Sequence, residues 1–205
     1  MKAKTRKSEM TRAAIVDAAL DIAAERGLGA VTMKSVADRL QLSKSGVFSR
    51  AGSSEGLRMA VVEEYGRRFL ADIFLPAMQK PRGLPRLDDM MTRWFQRIGH
   101  LTSVGASIYE ASAFSLDGSQ ESLRRVIRDR VLDWRAAVRR TLMQAIAQGQ
   151  LAHDADVENL IFTLHALLLE TLYETTFLAE ANTQSRGWNV YQRVIQSYRT
   201  QAGAG

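Results

Sequence analysis

The chain of 205 residues contains no cysteine and only three prolines, Pro76, Pro81 and Pro85. Without thiols it forms neither a disulfide framework nor a Cys-ligated zinc site. A chain of this length buries enough apolar surface to fold without such a staple, and a reducing cytoplasm is the expected compartment. Proline confined to one short region leaves long stretches on either side free to run as uninterrupted helix. Long apolar runs are also missing. The longest, Leu160–Leu169, has ten residues and already holds Thr163 and His165, whereas a bilayer span needs about 20. No membrane partner is expected. Met1–Lys7 is charged, but the segment after it is amphipathic rather than continuously apolar, so it does not read as a secretory signal. Alternating strand patterns, internal repeats and low-complexity segments are lacking too. The expected fold is all-α.

Signatures of catalysis are equally scarce. No G-x-S-x-G, H-E-x-x-H or phosphate-cradling loop occurs. GLGAV at 27–31 begins like a dinucleotide fingerprint, but it lacks the third glycine and follows a helix, so it reads as a helix stop. His165, Glu170 and Glu174 do not share a helix face, and His153 with Asp154 and Asp156 fits a capping turn better than a cation site. Neither a metal, a cofactor nor an enzymatic activity is expected.

Positive charge is abundant and unevenly placed. The net charge is +6, and residues 1–50 hold ten Lys/Arg against five acids, leaving only +1 for the remainder. Basic charge gathered at one end points to a phosphate backbone as partner. For Lys2–Lys7 alone, a solvated basic tail is the plain alternative.

Within that basic region, Thr32–Arg50 reads as two short helices joined by a tight turn. Met33, Val36, Ala37 and Leu40 recur at i, i+3, i+4, i+7, and Thr32 stands where an N-cap hydroxyl belongs. The pattern breaks at Gln41 and Leu42, and Ser43 is placed to cap a second helix. On it Val47 and Ala51 share the inner face, with Ser45 and Ser49 turned away from it. Phe48 and Arg50 flank the outer side, and Lys44 stands at the amino end. Gly46 weakens the helix by about 1 kcal/mol relative to Ala, but its bare surface permits close approach to another body. A second helix after a short turn, with small polar and basic groups outward, has the form of a DNA recognition helix.

These residues resemble the tetracycline-repressor-like (TetR/AcrR-type) regulators of bacteria. The matching pieces are Gly27 at the end of a first helix, Thr32–Ala37 as T-x-x-x-[IV]-A, Ser43-Lys44-Ser45-Gly46-Val47-Phe48, and Gly52, Ser53, Glu55 and Leu57 as G-S-x-E-x-L. The resemblance covers residues 10–60 and departs at three places. Gln41 replaces the usual turn glycine, Ala51 the usual Phe, and Ser54 a frequent Lys. Gln41 is thereby expected to adopt a left-handed backbone, Ala51 to fill less core, and Ser54 to remove a phosphate contact. The resemblance implies an N-terminal three-helix helix-turn-helix domain, residues 1–52, and a larger helical effector-binding and dimerisation domain, residues 53–205. It also implies a homodimer on double-stranded operator DNA, usually a repressor released by a small molecule. The DNA-contact candidates are Thr32, Lys44, Ser45, Gly46, Phe48, Ser49 and Arg50. Charged groups among them suit phosphate or base edges, the serines either, Phe48 a thymine methyl or the sugar-phosphate edge, and Thr32, at a helix amino end, a phosphate held through its hydroxyl and amide.

The rest of the chain is read as helix after helix. The first runs from about Ser8 to Arg26, with Ile15, Ala19, Ile22 and Ala23 buried, and stops at Gly27. A fourth starts near Ser54 and carries Leu57, Val61, Tyr65, Phe69 and Leu70 toward Pro76. After a loop at Pro81–Pro85, a helix covers Leu87–Ile98, Gly99–Gly105 breaks it, and Ala106–Phe114 forms a short one ended by Leu116-Asp117-Gly118. Ser119–Gln148 is long and periodic through Leu123, Ile127, Val131, Trp134, Val138, Leu142 and Ile146. Asp156 caps a helix running to about Ala181, and the last covers Trp188–Arg199. The helix after Asp156 is apolar on most sides, which implies burial on two faces. Its ridge Leu160, Leu164, Leu168 and Leu172, thickened by Phe162 and Leu169, is expected to form the dimer surface together with residues 187–199. Met91, Trp94, Phe95, Tyr109, Trp134, Phe162, His165 and Tyr173 are candidates to line an effector cavity, although core packing accounts for such residues as well. Two rival functions stand beside the regulator: a helical enzyme or carrier, and a basic adaptor that binds DNA without sequence preference.

Overall fold

The computed structural model describes residues 2–99, 108–116 and 120–199, and all regular structure among them is helical. In chain order the helices are α1 (Lys2–Arg26), α2 (Met33–Leu40), α3 (Lys44–Ala51), α4 (Ser54–Phe69), the short α5 (Leu75–Ala77), α6 (Leu84–Gly99), α7 (Ile108–Ser115), α8 (Glu121–Ala147), α9 (Val157–Thr176) and α10 (Thr183–Ser197). A 3₁₀ turn, Leu28–Ala30, precedes α2, and a π-helical stretch, Leu70–Phe74, joins α4 to α5. The expected break at Gly99–Gly105 and the stop at Asp117-Gly118 lie largely outside the described residues. No described helix is long and apolar enough to cross a membrane.

The chain forms two compact units, residues 1–68 with 102–129, and residues 69–101 with 130–205. In the first, Ile15, Ala19, Ile22 and Ala23 of α1 are buried as the periodicity requires, together with Val36, Ala37 and Val47. Gly27 ends α1 at φ 81°, a backbone that costs glycine nothing and a β-carbon about 1–2 kcal/mol. On α4, Leu57, Val61, Val62 and Tyr65 are buried. Tyr109 of α7 donates to the Val62 carbonyl at 3.1 Å, and its ring meets Tyr65 edge-on at 4.7 Å.

The second unit is built on α6, whose Leu87, Met90, Met91, Trp94, Phe95 and Ile98 are all buried. Trp134, Val138 and Leu142 of α8, Leu160, Leu164 and Leu168 of α9, and Tyr191 and Ile195 of α10 complete this core. Four rings form its centre. Trp94 and Trp134 lie 4.4 Å apart, Phe69 lies 5.0 Å from Trp94, and Phe74 lies 5.2 Å from Trp134, all edge-on. The π-helical stretch has a physical role here. Its wider turn brings residues five apart onto one side, so Phe69 and Phe74 both reach Trp134.

Several boundaries differ from the sequence reading. The first helix begins at Lys2, well before Ser8. Leu70 is 48% exposed, because the change from α to π winding rotates it off the buried stripe. Pro85 lies in the first turn of α6, where the missing amide proton costs nothing; the loop is correspondingly shorter. α9 ends at Thr176, and α10 starts at Thr183 rather than Trp188. Gly187 lies within α10, and a β-carbon there would stand 2.5 Å from Thr171 Oγ1 and 2.7 Å from Phe95. Close approach of three helices fixes that position, not local propensity. The leucine ridge of α9 also needs correction as a subunit surface. Leu160, Leu164 and Leu168 are at most 3% exposed within the chain itself, because α9 lays that stripe against α6 and α10.

Candidate nucleic-acid interface

The interface candidate is assembled from two short helices with side-chain caps. Thr32 has an extended backbone, and its hydroxyl accepts the Ser35 amide at 3.0 Å. Ser35 Oγ in turn accepts the Thr32 amide at 3.0 Å and donates to the Ala30 carbonyl at 2.9 Å. This reciprocal capping box occupies both the amide and the hydroxyl of Thr32. The first-turn amides of Met33 and Lys34 have no intrahelical acceptor by helix geometry, so they are the groups at this end that suit an anion. Lys34 is exposed beside them. Its signal in the sequence is a cation two residues after the N-cap Thr32, on the helix that precedes the recognition helix.

Gln41 closes α2 at φ 54°, ψ 38°, with its amide directed to Ala37 and Asp38. The left-handed turn is made, without the glycine that would make it at no cost. Ser43 then caps α3 by accepting the Gly46 amide at 3.1 Å. Val47 is fully buried and fixes the inner face of α3. At ~100° per residue, Lys44, Ser45, Phe48 and Ser49 share the outward sector, and all four are exposed, Phe48 at 58%. Gly46 and Arg50 fall on the neighbouring sector. Arg50 donates to the Gly46 carbonyl at 2.8 Å, and Ser49 donates to the same carbonyl at 3.0 Å. Arg50 therefore lies back along its own helix, with donors of its guanidinium left over for another acceptor. A β-carbon on Gly46 would come within 3.0 Å of Ser43 Oγ, so this glycine also keeps the cap in place.

Ion pairs hold the platform. Arg39 of α2 meets Glu25 of α1 through two hydrogen bonds, at 2.8 and 2.5 Å, and this keeps the Glu25 carboxyl below its usual range. Arg68 bridges Glu64 and Asp17, tying α4 to α1. Glu64 also takes two hydrogen bonds from Arg67, which with help from Arg68 lower its pKa to about 2.

Two family models match the chain. Bacterial regulatory proteins, tetR family, covers residues 15–61, and the tetracyclin repressor-like C-terminal domain covers residues 83–190. The chain belongs to the tetracycline-repressor-like family. It is thus a DNA-binding transcriptional regulator of the TetR family, and α2 and α3 are its helix-turn-helix. Solved structures share the fold. A TetR regulator from Chloroflexus aurantiacus J-10-FL has a TM-score of 0.82 at 18% identity, over 94% of this chain and 98% of that one. The fatty acid degradation regulator FadR from Bacillus halodurans has a TM-score of 0.71 at 16% identity, over 93% and 97% of the two chains. AibR, solved in complex with isovaleryl coenzyme A and operator DNA, has a TM-score of 0.71 at 16% identity, over 91% and 97%. No curated protein matches the regulator by sequence.

The effector-cavity candidates are not brought together as a group. Met91, Trp94, Phe95 and Trp134 are buried in the second unit's core. His165 lies in the same unit, partly exposed, with its Nε2 buried and unpartnered. Burial, together with the charge of Arg135, lowers its pKa. Phe162 and Tyr173 face outward, 69% and 47% exposed. Tyr109 belongs to the first unit, engaged with Tyr65 and Val62.

Proposed function

We propose that the regulator is a homodimeric repressor that leaves a near-palindromic operator when a small-molecule effector binds. Residues 1–52 carry the DNA contacts, and residues 53–205 bind the effector and the second subunit. The capped, outward-facing α3 carries this reading: a buried Val47 fixes its roll, and its exposed sector holds Lys44, Ser45, Phe48 and Ser49, with Gly46 and Arg50 alongside. Thr32 positions the first-turn amides of α2 rather than binding a phosphate with its own hydroxyl. A two-fold dimer presents two such helices to half-sites about 34–36 Å apart.

The dimer surface in this reading is the outward side of α9 and α10 with the segment between them. Phe162, Tyr173, Phe177, Leu178 and Val190 are each at least 40% exposed there, and Tyr173 stacks on Phe177 at 5.1 Å. Apolar exposure on this scale supports an interface. For the effector, the rings of Phe69, Phe74, Trp94 and Trp134 with Met91 and Phe95 favour an apolar or amphipathic ligand, and His165 offers it a polar group. AibR, similar in fold, was solved with an acyl coenzyme A and its operator. In the proposed switch, the helical run from Ser54 to Phe74 transmits effector binding. The coupling is then reciprocal, typically about 1–3 kcal/mol. The regulator acts in the cytoplasm and has no enzymatic activity of its own.

The test is selection of duplexes from a random library by the full chain, followed by competition with unselected DNA. Enrichment of an inverted repeat, bound by a protein of dimer mass in sedimentation, supports the repressor. Equal affinity for selected and random duplexes would make the protein a non-specific adaptor.

A further inference from the structure

We infer that Tyr109 of α7 is a positioning residue for DNA binding: its hydroxyl keys α4 to α7, and α7 in turn holds the segment that leads into α2. The inference rests on the assignment of α2 and α3 as the helix-turn-helix, and every residue it uses belongs to the first unit. Val62, Tyr65 and Gly66 share one face of α4 at i, i+3, i+4, and Tyr109 meets all three. Its hydroxyl donates to the Val62 carbonyl at 3.1 Å, adding a second donor to an oxygen that also serves the helix. Its ring meets Tyr65 edge-on at 4.7 Å, and both rings are buried. Gly66 lies inside α4, where glycine is among the poorest helix formers. A β-carbon there would stand 2.4 Å from the Tyr109 hydroxyl oxygen, but 3.7 Å from the ring carbon that carries it. Buried, bonded and packed on Tyr65, the ring has no cheap way aside. The hydroxyl alone therefore excludes a side chain at Gly66, and helix propensity yields to the close approach of α7.

The second observation lies where α7 meets the approach to the helix-turn-helix. α7 packs against the 3₁₀ turn Leu28–Ala30, whose Leu28 is buried. The Ala30 carbonyl accepts from Ser35 Oγ at 2.9 Å, and Ser35 closes the capping box with Thr32 that starts α2. α2 packs in turn on α3. α7 thus touches both α4 and the turn from which the α2 cap hangs. A recognition helix must meet its groove at one angle, and a looser mount lowers affinity because binding must then also order it. An ordinary core contact would stabilise the unit and leave affinity alone. The place of α7 between α4 and the α2 cap is what extends the reach of Tyr109 to DNA.

The test is a double-mutant cycle in the full-length protein, with Tyr109→Phe, Gly66→Ala and the two together. The probe is a duplex selected by the unaltered protein. Affinity is measured across a salt series, well below the melting temperature of each variant, so that unfolding does not account for a loss. Tyr109→Phe is expected to weaken binding roughly threefold and Gly66→Ala roughly tenfold. Both should keep the salt slope, because no phosphate contact is lost. In the double variant the colliding oxygen is gone and a 3.7 Å contact remains. Its affinity should therefore return to that of Tyr109→Phe rather than fall roughly thirtyfold as independent losses would. Variants that melt lower yet bind like the unaltered protein would make Tyr109 a packing residue and overturn the inference. Multiplying losses, or a lowered salt slope, would overturn it as well. Should Gly66→Ala fail to fold, Tyr109→Phe decides alone by the same affinity and slope. A protein that selects no duplex at all would fail the DNA reading itself, an outcome separate from these.

Discussion

The two units keep their helices in place by different physical means. In the first, α2 and α3 have eight residues each, too short to persist alone in water. Their ends are held by hydroxyl caps, and α1, α2 and α4 are tied by guanidinium–carboxylate pairs. In the second, α6 and α9 have 16 and 20 residues, and interlocked aromatic and aliphatic side chains position them. The Ser43 cap and the buried Val47 leave one face of α3 free and fixed in direction. Apolar interlocking uses nearly every inward face. A surface that must read another molecule is thus built on cheap local bonds, and the heavier core is kept in the other unit.

That contrast is most easily broken at the aromatic centre. Trp134→Ala removes the ring that touches Phe69, Phe74 and Trp94, and large-to-small changes of this kind cost about 3–5 kcal/mol. Urea unfolding should register that loss, whereas α2 and α3 retain their caps. A smaller change in the opposite sense is Gly187→Ala. The added carbon collides with Thr171 and Phe95, and overpacking costs roughly 1–3 kcal/mol, measurable in the same titration.

In the first unit the effects are electrostatic and conformational, and smaller. Glu64 has a folded-state pKa of about 2 against a reference of 4.5. A depressed carboxyl pKa stabilises the fold above the unfolded value, and that gain is lost as pH falls from about 4.5 through about 2. Arg67 is 66% exposed, so screening trims the gain to about 1 kcal/mol. Glu64→Gln should lower stability by that amount at pH 7 and flatten the acid limb of a pH–stability curve. Gln41→Gly releases a left-handed side-chain residue and should raise stability by about 0.5–1 kcal/mol, a gain of a few degrees in thermal unfolding.

Much of the first unit could be read from residues because its structure is local. Thr32 and Ser43 cap within three residues, Gln41 turns where the helical pattern stops, and Val47 points inward as its spacing requires. What escaped there depends on contacts distant in sequence or on ambiguous chemistry. Tyr109 finds Val62 at a separation of 47 residues, and Ser35 closes a capping box that is usually read from Glu or Gln. The second unit was legible as helices but not in their orientation. α9 is apolar on more than one side, so its pattern does not say which stripe is core. Leu160, Leu164 and Leu168 turned inward, while Phe162 and Tyr173 remained exposed. The start of α10 was hidden for a related reason, since what packs around Gly187 in the helix is Thr171 and Phe95, both distant in sequence.

The central claim is that α3 touches DNA, and single substitutions in its outward sector and the sector beside it test it most directly. Affinity of Lys44→Ala and Arg50→Ala for a selected duplex should be measured across a salt series, with circular dichroism to verify the fold. Each should bind more weakly at unchanged helicity. A lost phosphate contact lowers the salt slope by about 0.9, and a lost base contact costs ~1–3 kcal/mol and relaxes one position of the site. If both variants match the unaltered protein in affinity and slope at every salt concentration, α3 does not lie on the DNA.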